Sequence, residues 1–189
     1  MVINKNNPDL LVKTIECLTG NNLAILPCDT IYGICGKAPD TAQEIARVKG
    51  RHPEKPFLML IHSIDQIKAF SDFIIPEKIM KLWPGALTLI LPGKDGNTYA
   101  FRRPQHDFLG PLLKALDFPL FSTSVNKEGE APLNKIDMII AHFEDQVGLV
   151  IEGGEITDAK ASTILDLCSH PYKIVRQGEL VISEDILKG

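Results

Sequence analysis

The sequence predicts a single α/β domain built around a mixed β-sheet. The 189 residues suit one domain, which sets the predicted boundaries at 1–189. Helical and strand patterns alternate over most of the chain, which indicates helices layered against a sheet. The last strand patterns follow one another without helices between them, so part of the sheet is expected to be antiparallel.

Six segments carry helical patterns with recognisable ends. Asn7 and Pro8 are typical of a helix start, and Gly20 is typical of a helix end. Ser63 and Gln66 have the spacing of a capping box. The other predicted helices run from 40 or 41 to Gly50, over 76–83, over 109–116, and from Asn134 as N-cap to 143.

Eight short apolar runs predict strands. They lie at 23–26, 57–61, 87–91, 99–102, 119–122, 147–151, 163–167 and 173–175. Polar residues that a core does not need follow several of these runs. In open α/β sheets the loops beyond strand ends build the ligand crevice, so these polar stretches are the candidate functional segments.

Composition and charge exclude several classes of protein. The chain is 44% hydrophobic and 23% charged, as expected for a globular protein and not for a disordered chain or a collagen. A net charge of −4 argues against a polycation that coats nucleic acid or an anionic membrane. The start of the chain has no secretory pattern and no apolar run is long enough to span a bilayer, which predicts a cytoplasmic location without a membrane partner. The four cysteines and five histidines lack the spacing of a zinc site.

Two stretches near predicted strand ends offer charged and polar side chains. At 27–33 Thr30 and Tyr32 bring a hydroxyl and a phenol ring beside a carboxylate, although a turn before a helix would explain the same residues. At 49–56 Lys49, Arg51 and Lys55 place three cations within seven residues, and such cations bind phosphate or carboxylate oxygens. The alternative is that Lys49 complements a helix C-terminus, but this leaves the other two unexplained.

Two later stretches place polar side chains on strand faces. Strand alternation sends Arg102 and Arg103 to opposite faces, so one of them faces a site unless both are solvated on an edge strand. Ser122, Ser124 and Asn126 share one face if the chain stays extended. Their side chains suit the hydroxyls or phosphate oxygens of a ligand, and an ordinary turn is the alternative.

The common nucleotide-binding motifs are absent from the sequence. There is no P-loop, no G-x-G-x-x-G fingerprint and no G-x-S-x-G nucleophile elbow. A bound nucleotide would therefore be held by scattered Lys, Arg, Ser and Asn side chains. Ser162 and Arg176, which flank the last strands, are weaker candidates for the same role.

Seven segments in order, over about residues 8–180, resemble the YrdC/Sua5 family of threonylcarbamoyl-AMP synthases, and the length is similar to that of its short, single-domain members. They read Pro-Cys-Asp-Thr-Ile-Tyr-Gly at 27–33, Lys-Gly-Arg-His-Pro-Glu-Lys-Pro at 49–56, Trp-Pro-Gly-Ala-Leu-Thr at 83–88, Phe-Arg-Arg-Pro-Gln-His at 101–106, Thr-Ser-Val-Asn-Lys-Glu-Gly at 123–129, Ser-Thr-Ile-Leu-Asp at 162–166 and Arg-Gln-Gly at 176–178. One such segment is weak, whereas seven in register are highly specific.

The resemblance implies a twisted mixed sheet flanked by helices, with a basic concave face. It also implies a reaction in which L-threonine, bicarbonate or CO2, and ATP give L-threonylcarbamoyl-adenylate and pyrophosphate. A separate transferase complex would then pass the threonylcarbamoyl group to an adenosine beside the anticodon of tRNA.

The resemblance further implies roles for individual residues. Lys49 and Arg51 are expected to be catalytic, with Arg51 stabilising charge at the α-phosphate. The threonine is expected to contact Thr30, Tyr32, Arg51 and Ser122. The nucleotide is expected to contact Lys49, Arg51, Lys55, Arg102, Ser124, Asn126, Ser162 and Arg176. Mg²⁺ is the expected cofactor, held mainly by ATP phosphates and water instead of protein ligands.

Three residues depart from the family pattern. Cys28 replaces a Thr, Val125 replaces a small Ala, and Glu128 brings an acid close to a predicted phosphate site. The main alternative function is a double-stranded RNA or tRNA-binding module without catalysis, which would lack aromatic residues for stacking because only 6% of the chain is aromatic. A carbamoyl-phosphate-handling domain is a third option, but the zinc-finger and acylphosphatase parts that accompany it are absent from this sequence.

Overall fold

The computed structural model describes residues 1–52, 56–156 and 161–188. Ten strands form one sheet: β1 (Val2–Asn4), β2 (Ala24–Pro27), β3 (Tyr32–Lys37), β4 (Leu58–Leu60), β5 (Leu87–Pro92), β6 (Thr98–Arg102), β7 (Leu120–Ser124), β8 (Leu149–Glu152), β9 (Thr163–Asp166) and β10 (Lys173–Arg176). The helices are α1 (Leu10–Thr19), α2 (Ala42–Lys49), α3 (Glu77–Met80), α4 (Leu109–Leu116), α5 (Ile136–Phe143) and α6 (Glu184–Leu187). Two 3-10 helices lie at Ile64–Ala69 and Glu144–Gln146.

The strand order confirms the predicted mixed sheet. It runs β1-β8-β2-β3-β7-β4-β6-β5-β9-β10. The pairs β1/β8, β2/β8, β4/β6 and β5/β9 are parallel. The other five pairs are antiparallel, and they include the hairpin of β2 and β3 near the middle of the sheet.

Helices cover both faces of the β2–β3 region. Successive strand residues point to opposite faces and therefore pack against different helices. Ala24 and Leu26 pack in the core formed with α1 and α4. Ile25, between them, packs in the core formed with α2 and α5. A third core lies beside β5, β6 and β9, where α3, α6 and the first 3-10 helix pack. No helix among the described ranges has the length and apolar character needed to cross a membrane.

Several predicted ends of helices are confirmed. α4 occupies the predicted range 109–116. α2 ends at Lys49, and Gly50 follows with a left-handed φ of 61°, a conformation that glycine adopts without steric cost. Ser63 and Gln66 form the predicted capping box, although the helix that follows is a 3-10 helix.

Other predicted ends were wrong. α1 begins at Leu10, because Asn7 forms a turn in which its side chain accepts a hydrogen bond from the Asp9 N–H at 2.9 Å. α5 begins at Ile136, with Lys135 and not Asn134 as N-cap. The predicted helix at 76–83 is only the four residues of α3.

The sequence analysis also missed two strands. β1 has only three residues, too few to show a period. β3 contains Gly33 and Gly36, which weaken a strand pattern. Each glycine permits a close approach: a Cβ at position 33 would lie 2.9 Å from Ser122 Oγ, and one at position 36 would collide with Thr41.

Candidate active site

A cavity of about 320 Å³ lies over one face of the sheet, between the segment 28–33 and strand β10. The register of the strands builds its floor. Ser122, Leu58, Ala100 and Ile90 stand opposite one another across β7, β4, β6 and β5. The next row along contains Leu60, Arg102, Thr88 and Ile164. The first row is therefore apolar except for Ser122 at its end, and the second row places the polar Arg102 and Thr88 between Leu60 and Ile164.

Eight of the predicted site residues line this cavity. They come from segments that are far apart in the chain: Thr30, Tyr32, Arg51, Arg102, Ser122, Ser124, Ser162 and Arg176. Lys49 and Asn126 lie behind the wall, and Lys55 lies outside the described residues. The fold thus gathers most of the candidate residues around one space.

Lys49 is a buried side chain that connects two segments of the fold. Its ammonium donates hydrogen bonds to Ser124 O at 2.7 Å and to both Asn126 O and Asn126 Oδ1 at 3.0 Å. These three acceptors match the three protons of an ammonium group. Burial and then the neighbouring charge of Arg51 lower the pKa of Lys49 to about 8. In this structure Lys49 joins the end of α2 to the segment after β7.

Arg51 is the cation of the wall with the fewest partners among the described residues. Its Nη2 donates to Pro56 O at 3.2 Å, and its guanidinium lies over the Phe57 ring at 4.9 Å from the centroid. Its Nε is buried and has no hydrogen-bond partner. A planar cation with spare donors at a cavity wall is suited to bind a carboxylate or a phosphate.

Arg102 is bound by protein groups. Its Nη2 lies 2.7 Å from Asp29 Oδ2, and its Nη1 donates to Thr30 Oγ1 at 2.9 Å. Its Nε donates to Gly85 O at 3.3 Å. The side chain is only 4% exposed, so Arg102 holds the 28–33 segment in place against β6. Its neighbour Arg103 does not line this cavity and lies in a separate groove near α4.

Arg176 forms the opposite wall. Its Nε and Nη2 donate to Ser162 O at 3.1 and 2.9 Å. Ser162 Oγ in turn lies 2.8 Å from Thr88 Oγ1. Burial and then the nearby Arg102 lower the pKa of Arg176, so the two guanidinium groups repel each other across the cavity. An anion between them would relieve that repulsion.

Tyr32 uses its hydroxyl to position a loop. The group donates to Gly154 O at 2.7 Å and accepts from the Gly153 N–H at 3.0 Å. Burial raises the pKa of this phenol. Its ring lines the cavity, while its hydroxyl fixes the chain that leaves β8.

The structure describes the surroundings of the three departures from the family pattern. Cys28 lies in the cavity wall, and a hydrogen bond with Cys35 followed by burial raises the pKa of its thiol. Val125 is fully buried in the core with α2 and α5, on the side away from the cavity. The backbone N–H of Glu128 donates to Lys49 O at 2.8 Å, and the Glu128 charge raises the pKa of Lys49.

The sequence analysis assigned no role to Thr88 or Phe57. Thr88 supports Ser162, and it lies in the Trp-Pro-Gly-Ala-Leu-Thr segment that carried part of the resemblance. Phe57 stacks under Arg51, but in the sequence it is indistinguishable from the other residues of an apolar run. Its role depends on a contact that only the fold creates.

A protein-held metal ion does not fit this wall. Among the described residues that line the cavity, Asp29 is the one carboxylate, and its Oδ2 pairs with Arg102. Within 1–52, 56–156 and 161–188 no group of three or more His, Cys, Asp or Glu could hold a metal ion. Mg²⁺ prefers several oxygen ligands, and the described lining offers a single carboxylate that is already paired.

Comparisons with known proteins find relatives over most of the chain. Residues 16–178 match the Sua5/YciO/YrdC family model, whose description is Telomere recombination. A threonylcarbamoyl-AMP synthase of Pyrococcus abyssi is 28% identical over 176 residues, which cover 86% of this chain and 52% of that protein. The chain spans about half the length of this relative and of the threonylcarbamoyl-AMP synthase of Bacillus subtilis.

Solved structures show the same fold. Sua5 of P. abyssi complexed with L-threonine has a TM-score of 0.84 at 25% identity, covering 94% of this chain and 57% of that chain. YciO of E. coli has a TM-score of 0.80 at 24% identity, covering 94% of each chain. The similarity to YciO is evidence for the fold alone.

Proposed function

Because the chain belongs to the Sua5/YciO/YrdC family, we propose that it forms L-threonylcarbamoyl-adenylate from L-threonine, bicarbonate or CO2, and ATP, with release of pyrophosphate. The observation that carries this proposal is the cavity in which Arg51, Arg102 and Arg176 surround a set of hydroxyl groups. Relatives named threonylcarbamoyl-AMP synthase and the L-threonine complex of Sua5 support it.

The proposed chemistry needs positioning and charge neutralisation. The deprotonated threonine amine adds to CO2 to give a carbamate and a proton. A carbamate oxygen then bonds to the α-phosphorus of ATP while the bond to pyrophosphate breaks. Since both partners are anionic, fixed cations and preorganised hydroxyl groups supply the main stabilisation. Arg51 has spare donors for this charge, and Arg176 faces it from the other wall.

Magnesium belongs to this proposal as part of the substrate MgATP. The product would pass to a threonylcarbamoyl transferase complex that modifies tRNA in the cytoplasm. The alternative of an RNA-binding module has less support, because Arg102 is nearly fully buried and cannot reach the backbone of a duplex. Binding of that kind would also fall steeply with salt.

The decisive measurement is pyrophosphate release from the protein incubated with MgATP, bicarbonate and L-threonine. We expect release that requires all three substrates. Parallel reactions without threonine and without bicarbonate are the controls. Release that continues at the same rate in either control would contradict the proposed reaction and leave simple ATP hydrolysis.

A further inference from the structure

Asp29 stands out among the residues of the cavity. It is the one acidic side chain in the described part of the lining, and its side chain is 10% exposed. Its Oδ2 lies 2.7 Å from Arg102 Nη2 and accepts a longer hydrogen bond of 3.4 Å from the Gln105 N–H. Its Oδ1 is buried and has no hydrogen-bond partner.

A buried carboxylate oxygen without a donor is costly, since it has lost water and gained nothing in return. Such an oxygen at a cavity wall indicates where a ligand donor belongs. Triphosphate, bicarbonate and the substrate carboxylate are all anions, and Asp29 would repel them. In the proposed set of substrates the complementary group is the ammonium of the amino acid.

We propose that Asp29 binds the α-amino group of the amino-acid substrate through Oδ1. This inference rests on the proposed function, and it names the residue that selects an α-amino acid. The torsion about the Cβ–Cγ bond of Asp is broad, so a small rotation turns Oδ1 towards the cavity while Oδ2 keeps its pairing with Arg102. The substrate carboxylate then lies towards Arg51, on the cationic side.

This placement also orders the reaction. Asp29 holds the amino group while it is an ammonium cation. The ammonium then loses a proton to solvent, the neutral amine bonds to the carbon of CO2, and a second N–H proton leaves to solvent, so that this end of the substrate becomes an anion. The new carbamate is then repelled by Asp29 and attracted by Arg51 and Arg176, where the α-phosphate is expected. Thr30 stays in position throughout, because the same guanidinium that pairs with Asp29 donates to its hydroxyl.

The test measures binding without ATP, by calorimetry on the whole chain. The ligands are L-threonine and 3-hydroxybutanoate, which is threonine with hydrogen in place of the amino group. We expect the wild-type protein to bind threonine at least about tenfold more tightly than the analogue, as is typical of one charge-assisted hydrogen bond. In Asp29→Asn that preference is expected to disappear, with the affinity for the analogue nearly unchanged.

Arg102→Gln is the matched control, because it breaks the ion pair and keeps the carboxylate. This variant is expected to bind both ligands with lower affinity, while the preference for threonine persists. If Asp29→Asn weakens both ligands equally, Asp29 acts only by positioning Arg102, and the inference is wrong. Equal binding of the two ligands by the wild-type protein overturns it without any variant. Failure of pyrophosphate release would instead overturn the proposed reaction while the binding preference remained measurable.

Discussion

At the residue scale, the cations at the cavity differ in how many hydrogen bonds they donate to protein acceptors. Lys49 and Arg102 each donate three hydrogen bonds to protein acceptors. Among the described residues Arg51 has one such bond, and its Nε has no hydrogen-bond partner. Cations that are already paired shape the wall, whereas Arg51 keeps donors for a ligand.

The first variant is Arg51→Ala, which removes a charge-stabilising group from the wall. We expect turnover in the pyrophosphate assay to fall at least about tenfold, as losing one such group typically costs a few kcal/mol of transition-state stabilisation. Arg47→Ala is the control, because Arg47 is exposed on α2 and pairs with Glu44. Turnover of Arg51→Ala close to that of the control would remove Arg51 from this role.

At the element scale, Tyr32 of β3 holds the short segment Gly153 and Gly154 that follows β8. Tyr32→Phe leaves Gly153 N–H and Gly154 C=O without their partner. We expect the free energy of unfolding in urea to fall by about 2 kcal/mol, because two part-buried hydrogen bonds are lost together. Tyr99→Phe is the comparison, since Tyr99 bonds to Asp95 at an exposed position where water replaces the lost hydroxyl.

If Tyr32→Phe lowers the free energy of unfolding no more than Tyr99→Phe does, the Tyr32 hydroxyl does not hold this segment. The activity of Tyr32→Phe offers a second readout. Ser162 and Arg176 follow the segment in the chain, so a loosened segment is expected to raise the KM for ATP.

Elements with strong local signals could be predicted from the sequence, and those that depend on distant contacts could not. α4 has four leucines on one face and matches its predicted range. β3 was not predicted because its two glycines weaken the strand pattern. Gly33 and Gly36 permit close contacts with Ser122 and Thr41, which the sequence does not show. The eight cavity residues were predicted because their motifs resemble a family, whereas the unpartnered oxygen of Asp29 is visible only in three dimensions.

At the scale of the whole molecule, a chain of net charge −4 concentrates cations at one cavity. Arg102 and Arg176 repel each other there, so a bound anion should stabilise the fold. At a concentration of 100 times its Kd, pyrophosphate is expected to raise the free energy of unfolding by about 2.7 kcal/mol. Adenosine, which lacks phosphate, is the control in the same urea titration. If adenosine raises the free energy of unfolding and pyrophosphate does not, the cavity is not a phosphate site.

The pairing of β1 with β8 has a consequence for how the protein is made. Val2 stands opposite Val150 and Asn4 opposite Glu152, so the first strand cannot pair before residues 150–152 have been synthesised. Contacts this distant slow folding, because the intervening chain must be ordered before they form. A ribosome releases the N-terminal segment first, and α1 and the β2–β3 hairpin are therefore exposed before β8 emerges. Since Ser162 and Arg176 emerge later still, the nascent protein cannot close its cavity before residue 176 has left the ribosome.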